Sequence, residues 1–281
     1  MSTVRAATAI RPGEHGCARL GRAADRAVLT GAFVRNGLQR GHRVIYHCEH
    51  DGSSCLVDDL AAADPLMAEA LTSGQLEVRP APTSYAPDGA FEVTRTLEQL
   101  RADHAAALRE GYPALSVAGD MSWAASGTPG AERLEEYERR IDADDRGDTL
   151  VLFCQYDQAR FDPGVLGGVA AAHGVDVSPE LAALSHAGNL AAGRTAESLR
   201  FAGELDYDAA EAVARTLAAP DHGPLRLDLA DVEFIDVTGM RALRSRAGRP
   251  LIITAASPTV RRLLTLLAWD TDPAVEIVPA S

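Results

Sequence analysis

The chain has 281 residues, which is enough for one large domain or two modest ones. Hydrophobic residues make up 46% and charged residues 24%, which is typical of a soluble protein with a buried core and excludes wholesale disorder. The formal net charge of -13 at pH 7 repels phosphate backbones and anionic lipids, so we expect neither nucleic acid nor membrane as a partner.

The basic residues exclude some chemistry. All 27 of them are arginines, so the chain can form neither a lysine Schiff base nor the lysine-containing loop of P-loop nucleotide hydrolases. No run of about 18 apolar residues is present, and the first residues lack the apolar core of a signal peptide, so we expect a cytoplasmic protein. The four cysteines form no CxxC pair, and we expect free thiols.

Helices and strands are predicted to alternate over the first half of the chain. In chain order, the pattern predicts a helix over Ala23–Arg40, a strand over Arg43–Cys48, a helix over Leu60–Ser73, a strand over Leu76–Arg79, a long proline-rich loop over Pro80–Gly89, a helix over Phe91–Glu110, a strand over Ala114–Ala118, a helix over Ala131–Ala143 and a strand over Thr149–Cys154. Such alternation predicts a mainly parallel sheet covered by helices.

A second, smaller unit of the same kind is predicted after a segment rich in Gly, Ala, Ser and Asn. Its predicted elements are strands over Leu199–Gly203, Leu225–Leu229, Leu251–Ala255 and Val275–Val278, and helices over Ala209–Ala218, Thr238–Ala247 and Pro258–Leu267. We therefore predict an N-terminal tail (1–12), a first domain (13–175), a linker (176–197) and a second domain (198–281).

Three phrases of the second domain carry a family resemblance. They are FAGELD at 201–206, LRLDLADVEFIDVTG at 225–239 and SPTVRRLL at 257–264. Their order and spacing resemble the STAS family of sulphate transporters and bacterial anti-sigma factor antagonists. The resemblance implies a β/α module that docks on an anti-sigma factor or on a serine/threonine kinase of the anti-sigma type, through the turn at Asp236.

The residues of this docking turn also have structural interpretations. Asp206 can cap the helix that begins near Ala209, with a docking role as the alternative. The carboxylate of Asp236 can accept amide hydrogens at the start of the next helix, where the helix dipole favours it. The residues predicted to contact a partner are Asp206, Asp236, Val237, Thr238, Gly239 and Met240.

The position after Asp236 departs from the family pattern. The resemblance implies a phosphoacceptor Ser or Thr there, and Val237 cannot be phosphorylated. Thr238 is the remaining candidate, and it is otherwise a first-turn helix residue. A phosphate on Thr238 would place nearly two negative charges on the docking face. Either the domain binds constitutively and is regulated from elsewhere, or it uses Thr238.

The first domain resembles the MEDS family, the methanogen and methylotroph sensory domain. The matching phrases are GEHGC at 13–17, FVRNGL at 33–38, GHRVIY at 41–46, GDMSW at 119–123, YE at 137–138, CQYD at 154–157 and FDP at 161–163. The resemblance implies a RecA-like α/β fold that senses a small molecule and has lost nucleotide chemistry. The predicted fold class is therefore α/β, with a RecA-like, mainly parallel sheet domain and a smaller STAS-type β/α domain.

A ligand site is predicted at the C-terminal edge of the first sheet, where open parallel sheets bind their ligands. Its aromatic and methionine content suits an apolar ligand, with core packing as the alternative. Imidazole, thiol and carboxylate groups near both ends of the domain can also form a metal or thiol site, although a buried cysteine usually only fills space. The candidates for the apolar pocket and for this second site are His15, Cys17, His47, Met121, Trp123, Cys154, Tyr156 and Asp157.

The two resemblances in tandem predict a signalling regulator without catalytic activity. Small-molecule or redox sensing by the first domain would control the antagonist module, and a small-molecule ligand is the one cofactor implied. A RecA-like nucleotide enzyme is an alternative, against which the missing P-loop lysine and the absence of GxSxG and HExxH motifs count. A ligand-free structural subunit of a stress-signalling assembly is another alternative, and the sequence permits a homo-oligomer.

Overall fold

The structure is a computed structural model that describes residues 3–49, 56–143, 147–177, 190–194, 198–217, 223–244 and 249–278. Contacts between residues divide the chain into two compact units. The first contains residues 10–179, and the second contains residues 3–9 together with 180–281. Thr3–Ala9 thus belong to the second unit, although the sequence suggested a separate N-terminal tail.

Strands and helices alternate along both units. The strands are β1 (Thr3–Arg5), β2 (His15–Leu20), β3 (Arg43–Cys48), β4 (Leu76–Pro80), β5 (Leu115–Asp120), β6 (Leu150–Asp157), β7 (Val175–Val177), β8 (Leu190–Arg194), β9 (Leu199–Leu205), β10 (Leu225–Ile235), β11 (Leu251–Ala256) and β12 (Val275–Ile277). The α-helices are α1 (Ala23–Gln39), α2 (Leu56–Ala63), α3 (Pro65–Ser73), α4 (Ala81–Tyr85), α5 (Val93–Arg109), α6 (Leu134–Ala143), α7 (Pro163–Ala171), α8 (Tyr207–Leu217), α9 (Val237–Leu243) and α10 (Pro258–Leu266).

The first unit contains a sheet of six parallel strands in the order β7-β2-β6-β5-β3-β4. Its central strand β5 is buried along its whole length, and β6 is buried up to its last residue. Strands covered on both faces read as continuous apolar runs, which is why β6 was clear in the sequence. Apolar residues of α5, α6 and α7 pack in one core cluster with residues of β2, β5 and β6.

The elements of the first unit largely follow the predicted pattern, but β2, α7 and β7 were not predicted, and two predicted segments differ locally. The helix predicted over Leu60–Ser73 is divided at Asp64, whose side chain accepts a hydrogen bond from the Leu66 amide at 3.1 Å and caps α3. Pro65 cannot donate a helical hydrogen bond, so it favours a new helix start at this point. The predicted loop at residues 80–89 contains the short helix α4, which begins after Pro80.

The second unit combines a parallel core with an antiparallel edge. Strands β9 to β12 are parallel neighbours in the order β12-β11-β10-β9, and β8 and β1 continue the sheet in antiparallel pairing. The segment predicted as a linker therefore contributes β7 to the first unit and β8 to the second. The sequence LAAGR of β8 has little intrinsic strand preference, and its pairing with β9 and β1 supplies the hydrogen bonds that favour it.

The core of the second unit lies between this sheet and its helices. Apolar residues of α8, α9 and α10 pack in one cluster with alternate residues of β9, β10 and β11. The prediction of a mainly parallel α/β domain followed by a smaller β/α domain is confirmed. Within the described residues, no helix is both long enough and apolar enough to cross a membrane.

Candidate functional site

A cavity of about 290 Å³ lies in the first unit. Its lining residues come from strands β2 to β6, from helices α4, α5 and α6, and from Pro87. Leu100, Val117, Ile141 and Leu152 give it an apolar lining. The cavity is small and largely apolar, so its shape suits a small organic molecule with few polar groups.

Polar groups are concentrated on one side of this cavity. Arg79 donates hydrogen bonds to Asp103 at 2.6 Å and 3.1 Å, and a further bond to Glu77 at 2.7 Å. His47 lies beside this network, and its buried Nδ1 has no hydrogen-bond partner among the described residues. Burial, together with the positive charge of Arg79, lowers the pKa of His47 to about 4. The His47 imidazole is therefore neutral at neutral pH, and one of its buried nitrogens makes no hydrogen bond within the described residues.

Aromatic side chains also line the cavity, and the Tyr85 ring lies next to His47, with ring centroids 5.2 Å apart. Tyr85 stacks on Trp123 with ring centroids 4.8 Å apart and meets Tyr137 edge-on at 6.2 Å. Gly119 permits the approach of Tyr85, because a Cβ atom at this position would lie 2.8 Å from the Tyr85 hydroxyl oxygen. Tyr85 and Tyr137 line the cavity, while Trp123 supports them from behind.

A buried cluster of four ionisable side chains lies at the inner end of the cavity. His15 Nε2 is 3.4 Å from Cys154 Sγ and 3.3 Å from Glu138 Oε2. His173 Nε2 is 3.4 Å from the same oxygen, and the two imidazole centroids are 3.9 Å apart. One ligand-type atom from each of the four residues lies within 4.8 Å of all the others. His15 and Cys154 also line the cavity.

Glu138 is the centre of this cluster and is fully buried. Burial raises the pKa of Glu138 to about 7, while hydrogen bonds from the Tyr156 hydroxyl and the Cys154 thiol act in the opposite direction. Burial also raises the pKa of the Cys17 and Cys154 thiols. Without a bound cation both thiols are protonated at neutral pH, so they are poor nucleophiles.

The structure brings together only part of the predicted ligand set. His15, His47 and Cys154 line the cavity. Core positions beside the cavity, but not on its surface, are occupied by Cys17, Met121, Trp123 and Tyr156. Asp157 belongs to a different arrangement, which is described below. Cys17 and Cys154 are free thiols as expected, but Cys48 is disulfide-bonded, so the expectation of free thiols is wrong for that residue.

Sequence reasoning missed Glu138 and His173 as members of the cluster. Glu138 had a detectable signal, because it shares the buried stripe of α6 with Leu134, Tyr137 and Ile141 at helical spacing. A carboxylate in an apolar stripe needs a partner, since an unpaired buried charge is costly. His173 follows the end of α7 and had no comparable signal.

An ion-pair group lies where strands β5 and β6 end. Arg26, in the first turns of α1, donates hydrogen bonds to Asp120 at the end of β5 and to Asp157 at the end of β6. The distance from Arg26 Nη2 to Asp157 Oδ2 is 3.5 Å. Open α/β sheets usually bind nucleotides at such strand ends. In this chain the guanidinium of Arg26 pairs with the two carboxylates at that position.

In the second unit, Asp236 marks the start of α9. Its Oδ1 accepts a hydrogen bond from the Gly239 amide at 2.7 Å, which confirms the helix-capping interpretation. The Val237 side chain is 50% exposed and Thr238 is half-buried. Gly239 and Met240 are buried, which corrects the expectation that they contact a partner directly: they support the surface from beneath. The accessible part of the predicted contact is thus the exposed Val237 together with the half-buried Asp206, Asp236 and Thr238.

Exposed apolar side chains surround this helix start. Phe234 is 49% exposed near the end of β10, and Tyr207 is 75% exposed just after β9. The strands are parallel neighbours, with Leu205 paired to Ile235, so both lead to the same edge of the sheet. We call Tyr207, Phe234 and Val237 the apolar edge. Asp206 lies beside it and caps α8 through the amides of Asp208 and Ala209, each at 3.1 Å.

The comparisons with known proteins follow this division of the chain. The family described as "MEthanogen/methylotroph, DcmR Sensory domain", or MEDS, matches residues 14–174. The chain belongs to the MEDS family. A second match, described as "Mlab, STAS domain", covers residues 189–279. We therefore refer to a MEDS domain followed by a STAS domain.

Similarity to individual proteins is weaker. No curated protein matches the chain. Among solved structures, the chain is similar to the flagellar accessory protein FlaH from Methanocaldococcus jannaschii, with 15% sequence identity and a TM-score of 0.43. This likeness covers 58% of the present chain and 70% of FlaH.

Proposed function

We propose that this chain is a signalling regulator that acts by binding rather than by catalysis. A small molecule in the MEDS cavity controls docking of the STAS domain on an anti-sigma factor, or on a serine/threonine kinase of the anti-sigma type. The observation that carries the proposal is the apolar edge, which lies at the helix start that resembles the regulatory turn of anti-sigma factor antagonists.

Two properties of the apolar edge support a docking role. Tyr207, Phe234 and Val237 expose large apolar groups, whereas most apolar residues of this unit are buried in its core. An exposed apolar patch with polar residues at its rim is typical of protein-binding sites. Aromatic side chains such as Tyr207 also contribute strongly to binding energy when a partner covers them.

The position of Val237 supports control from the MEDS domain. Valine cannot accept a phosphate, so the direct switch at this helix start is missing unless Thr238 replaces it. Thr238 is half-buried and lies two residues after Asp236, so only part of its side chain is accessible to a kinase. The MEDS cavity offers another input, because a ligand that binds two arrangements of the chain with different affinities shifts the balance between them.

The ion pairs of Arg26 support a binding role for the MEDS domain. The carboxylates that could serve the divalent cation of a nucleotide at these strand ends are those of Asp120 and Asp157, and both are already paired with Arg26. We therefore expect no saturable ATP hydrolysis by the purified chain. Turnover of MgATP above the background of an Asp120→Ala variant would contradict this and favour a nucleotide enzyme.

Docking can be tested by measuring the affinity of the full chain for each purified anti-sigma factor of its source organism by biolayer interferometry. Val237→Asp and Phe234→Asp should each weaken binding by roughly tenfold or more, because a charge replaces an apolar contact. Leu266→Asp is a matched control, since Leu266 is 69% exposed but lies at the C-terminal end of α10. Equal affinity of all four proteins, or no binding by any of these factors, would refute docking through the apolar edge.

Control by the cavity needs a separate measurement. Small apolar molecules would be screened for those that raise the melting temperature of wild type but not of His47→Phe. A molecule selected in this way should change the affinity of the wild-type chain for its partner. It should leave the affinity of the His47→Phe variant for that partner unchanged. If the affinity of the wild-type chain stays the same at saturating ligand, the cavity does not regulate docking.

A further inference from the structure

We propose that His15, Glu138, Cys154 and His173 bind one divalent transition-metal ion, for which Zn²⁺ is the best match. The proposed site lies at the inner end of the MEDS cavity. It goes beyond the proposed function and does not depend on it, because the argument concerns only the geometry and chemistry of these four side chains.

Four of the six separations among the ligand atoms are close to those around a tetrahedral ion, and all six are within 4.8 Å. Atoms bound at about 2.0–2.3 Å with tetrahedral angles lie roughly 3.3–3.7 Å from one another. His15 Nε2 is 3.3 Å from Glu138 Oε2 and 3.4 Å from Cys154 Sγ. Glu138 Oε2 is 3.4 Å from His173 Nε2 and 3.8 Å from Cys154 Sγ. The side chains are therefore already close to the separations that an ion would impose.

A hydrogen bond from His173 to the backbone leaves the Nε2 atom of this histidine as the potential metal ligand. His173 Nδ1 lies 2.6 Å from the carbonyl oxygen of Val169. A carbonyl can only accept, so Nδ1 carries a hydrogen, and in the neutral ring the lone pair is on Nε2. That nitrogen faces the Oε2 atom of Glu138. Two lone pairs at this separation repel unless a proton or a metal ion lies between them, and a backbone carbonyl that fixes the tautomer is the usual outer partner of a metal-binding histidine.

Glu138 is held in a similar way. Tyr156 donates a hydrogen bond to Oε1, while Oε2 is the oxygen that faces both imidazoles and the Cys154 thiol. The two carboxylate oxygens thus have separate roles, one toward an outer partner and one toward the cluster. Such outer hydrogen bonds orient metal ligands and tune their basicity.

Charge balance also favours a divalent ion. One thiolate, one carboxylate and two neutral imidazoles carry two negative charges, so a divalent cation makes the assembly neutral. Neutrality matters here because all four residues are buried, and an uncompensated buried charge is strongly unfavourable. The combination of thiolate, imidazole and carboxylate is characteristic of Zn²⁺ and, more weakly, of Co²⁺ and Fe²⁺.

The alternative is a cluster held by a proton instead of a metal ion, with an imidazolium or a neutral carboxyl group between the same atoms. Titration of the chelator-treated, full-length wild-type chain with Co²⁺ distinguishes the two. The metal site predicts one Co²⁺ per chain, intense visible bands of a tetrahedral ion and a thiolate-to-cobalt charge-transfer band. It also predicts that Zn²⁺ displaces the Co²⁺. Uptake well below one equivalent, or binding without the charge-transfer band, would overturn the proposal.

Variants then assign the ligands. Cys154→Ser should abolish the charge-transfer band, and His173→Asn should weaken Co²⁺ binding by roughly 100-fold or more. Cys17→Ser is the matched control, because Cys17 pairs with Cys154 in the sheet and is equally buried but lies outside the four-residue set. It should keep the band. A band that survives Cys154→Ser, or that is lost in a folded Cys17→Ser protein, would overturn the assignment. If Cys154→Ser does not fold, the wild-type titration still decides.

Discussion

Tyr156 donates a hydrogen bond to Oε1 of Glu138, and both side chains are fully buried. A hydrogen bond to a charged group contributes about 1.5–3 kcal/mol, because its loss leaves that group without compensation. We expect Tyr156→Phe to lower the free energy of unfolding by this amount in urea at pH 8 with a chelator present. That pH keeps Glu138 mostly ionised, since burial raises its pKa to about 7.

Tyr46→Phe provides the control for this measurement. Tyr46 is also buried, but its hydroxyl interacts with the neutral Thr30 side chain. Its loss should cost about 0.5–1.5 kcal/mol, the range for a hydrogen bond between neutral groups. Equal losses in the two variants would mean that Glu138 is uncharged in the folded protein at this pH.

The sequence predicted two of the four residues in the buried cluster of the MEDS domain and missed the other two. His15 and Cys154 stood out as residues whose side chains bind metals or ligands, and the parallel sheet brings them together. Glu138 and His173 come from α6 and from the end of α7, and their positions depend on how these helices pack on the sheet. Spacing along a chain contains no information on such packing, so only the apolar stripe around Glu138 offered a clue.

Arg26 offers a second test, because it pairs with two carboxylates. Asp120 is almost fully buried and Asp157 is 31% exposed at its side chain. Removing one partner of a buried ion pair is costly, so we expect Arg26→Met to destabilise the MEDS domain by about 2–4 kcal/mol. Arg22→Met is the control, since Arg22 immediately precedes the same helix and pairs with Asp25 at the surface. It should leave the urea midpoint unchanged, and similar midpoints for the two variants would contradict a structural role of Arg26.

His47 predicts a pH dependence of stability. Its folded-state pKa is about 4, below the ordinary value of 6.5, because burial and Arg79 disfavour the charged imidazole, while Glu77 and Asp103 act in the opposite direction. The unfolded chain therefore binds a proton more readily than the folded one between these pH values. The stability that the neutral His47 side chain contributes is fully present above about pH 6.5 and is lost as the pH falls toward 4.

The size of this effect can be isolated by substitution. Between pH 7 and pH 5, His47 should account for about 2 kcal/mol of the lost free energy of unfolding. His47→Gln should reduce the difference between the two pH values by that amount in urea titrations. Thr83→Val changes the lining of the same cavity without removing an ionisable group and should leave the difference as in wild type. An unchanged pH difference in His47→Gln would show that the imidazole stays accessible to protons.

The fold as a whole was predictable where strands are long and apolar, as for β3 and β6. The pattern failed for β1, β2, β7 and β8. Three of these, β1, β7 and β8, are only three to five residues long and obtain their hydrogen bonds from neighbouring strands. The STAS turn shows the same limit. Asp236 was recognisable as a helix cap from sequence alone, but the burial of Met240 depends on how α9 packs on the sheet.

Gly239 shows how closely α9 approaches the sheet. A Cβ atom at this position would lie 2.0 Å from the carbonyl oxygen of Leu205, so any larger residue must displace the helix start or the end of β9. We expect Gly239→Ala to destabilise the STAS domain by about 2 kcal/mol or more, since the nearest atom is backbone and cannot move aside. Thermal unfolding and hydrogen exchange of the α9 amides would measure the loss.

Gly167 in α7 is the matched control, because an added Cβ there meets nothing within 4 Å. Gly167→Ala should stabilise the chain by about 0.5–1 kcal/mol through helix propensity alone. The two alanine substitutions therefore have opposite expected signs. If Gly239→Ala were as stable as wild type, α9 could shift outward at little cost. The exposure of Val237 would then not be fixed by packing, and the apolar edge would not be a preformed docking surface.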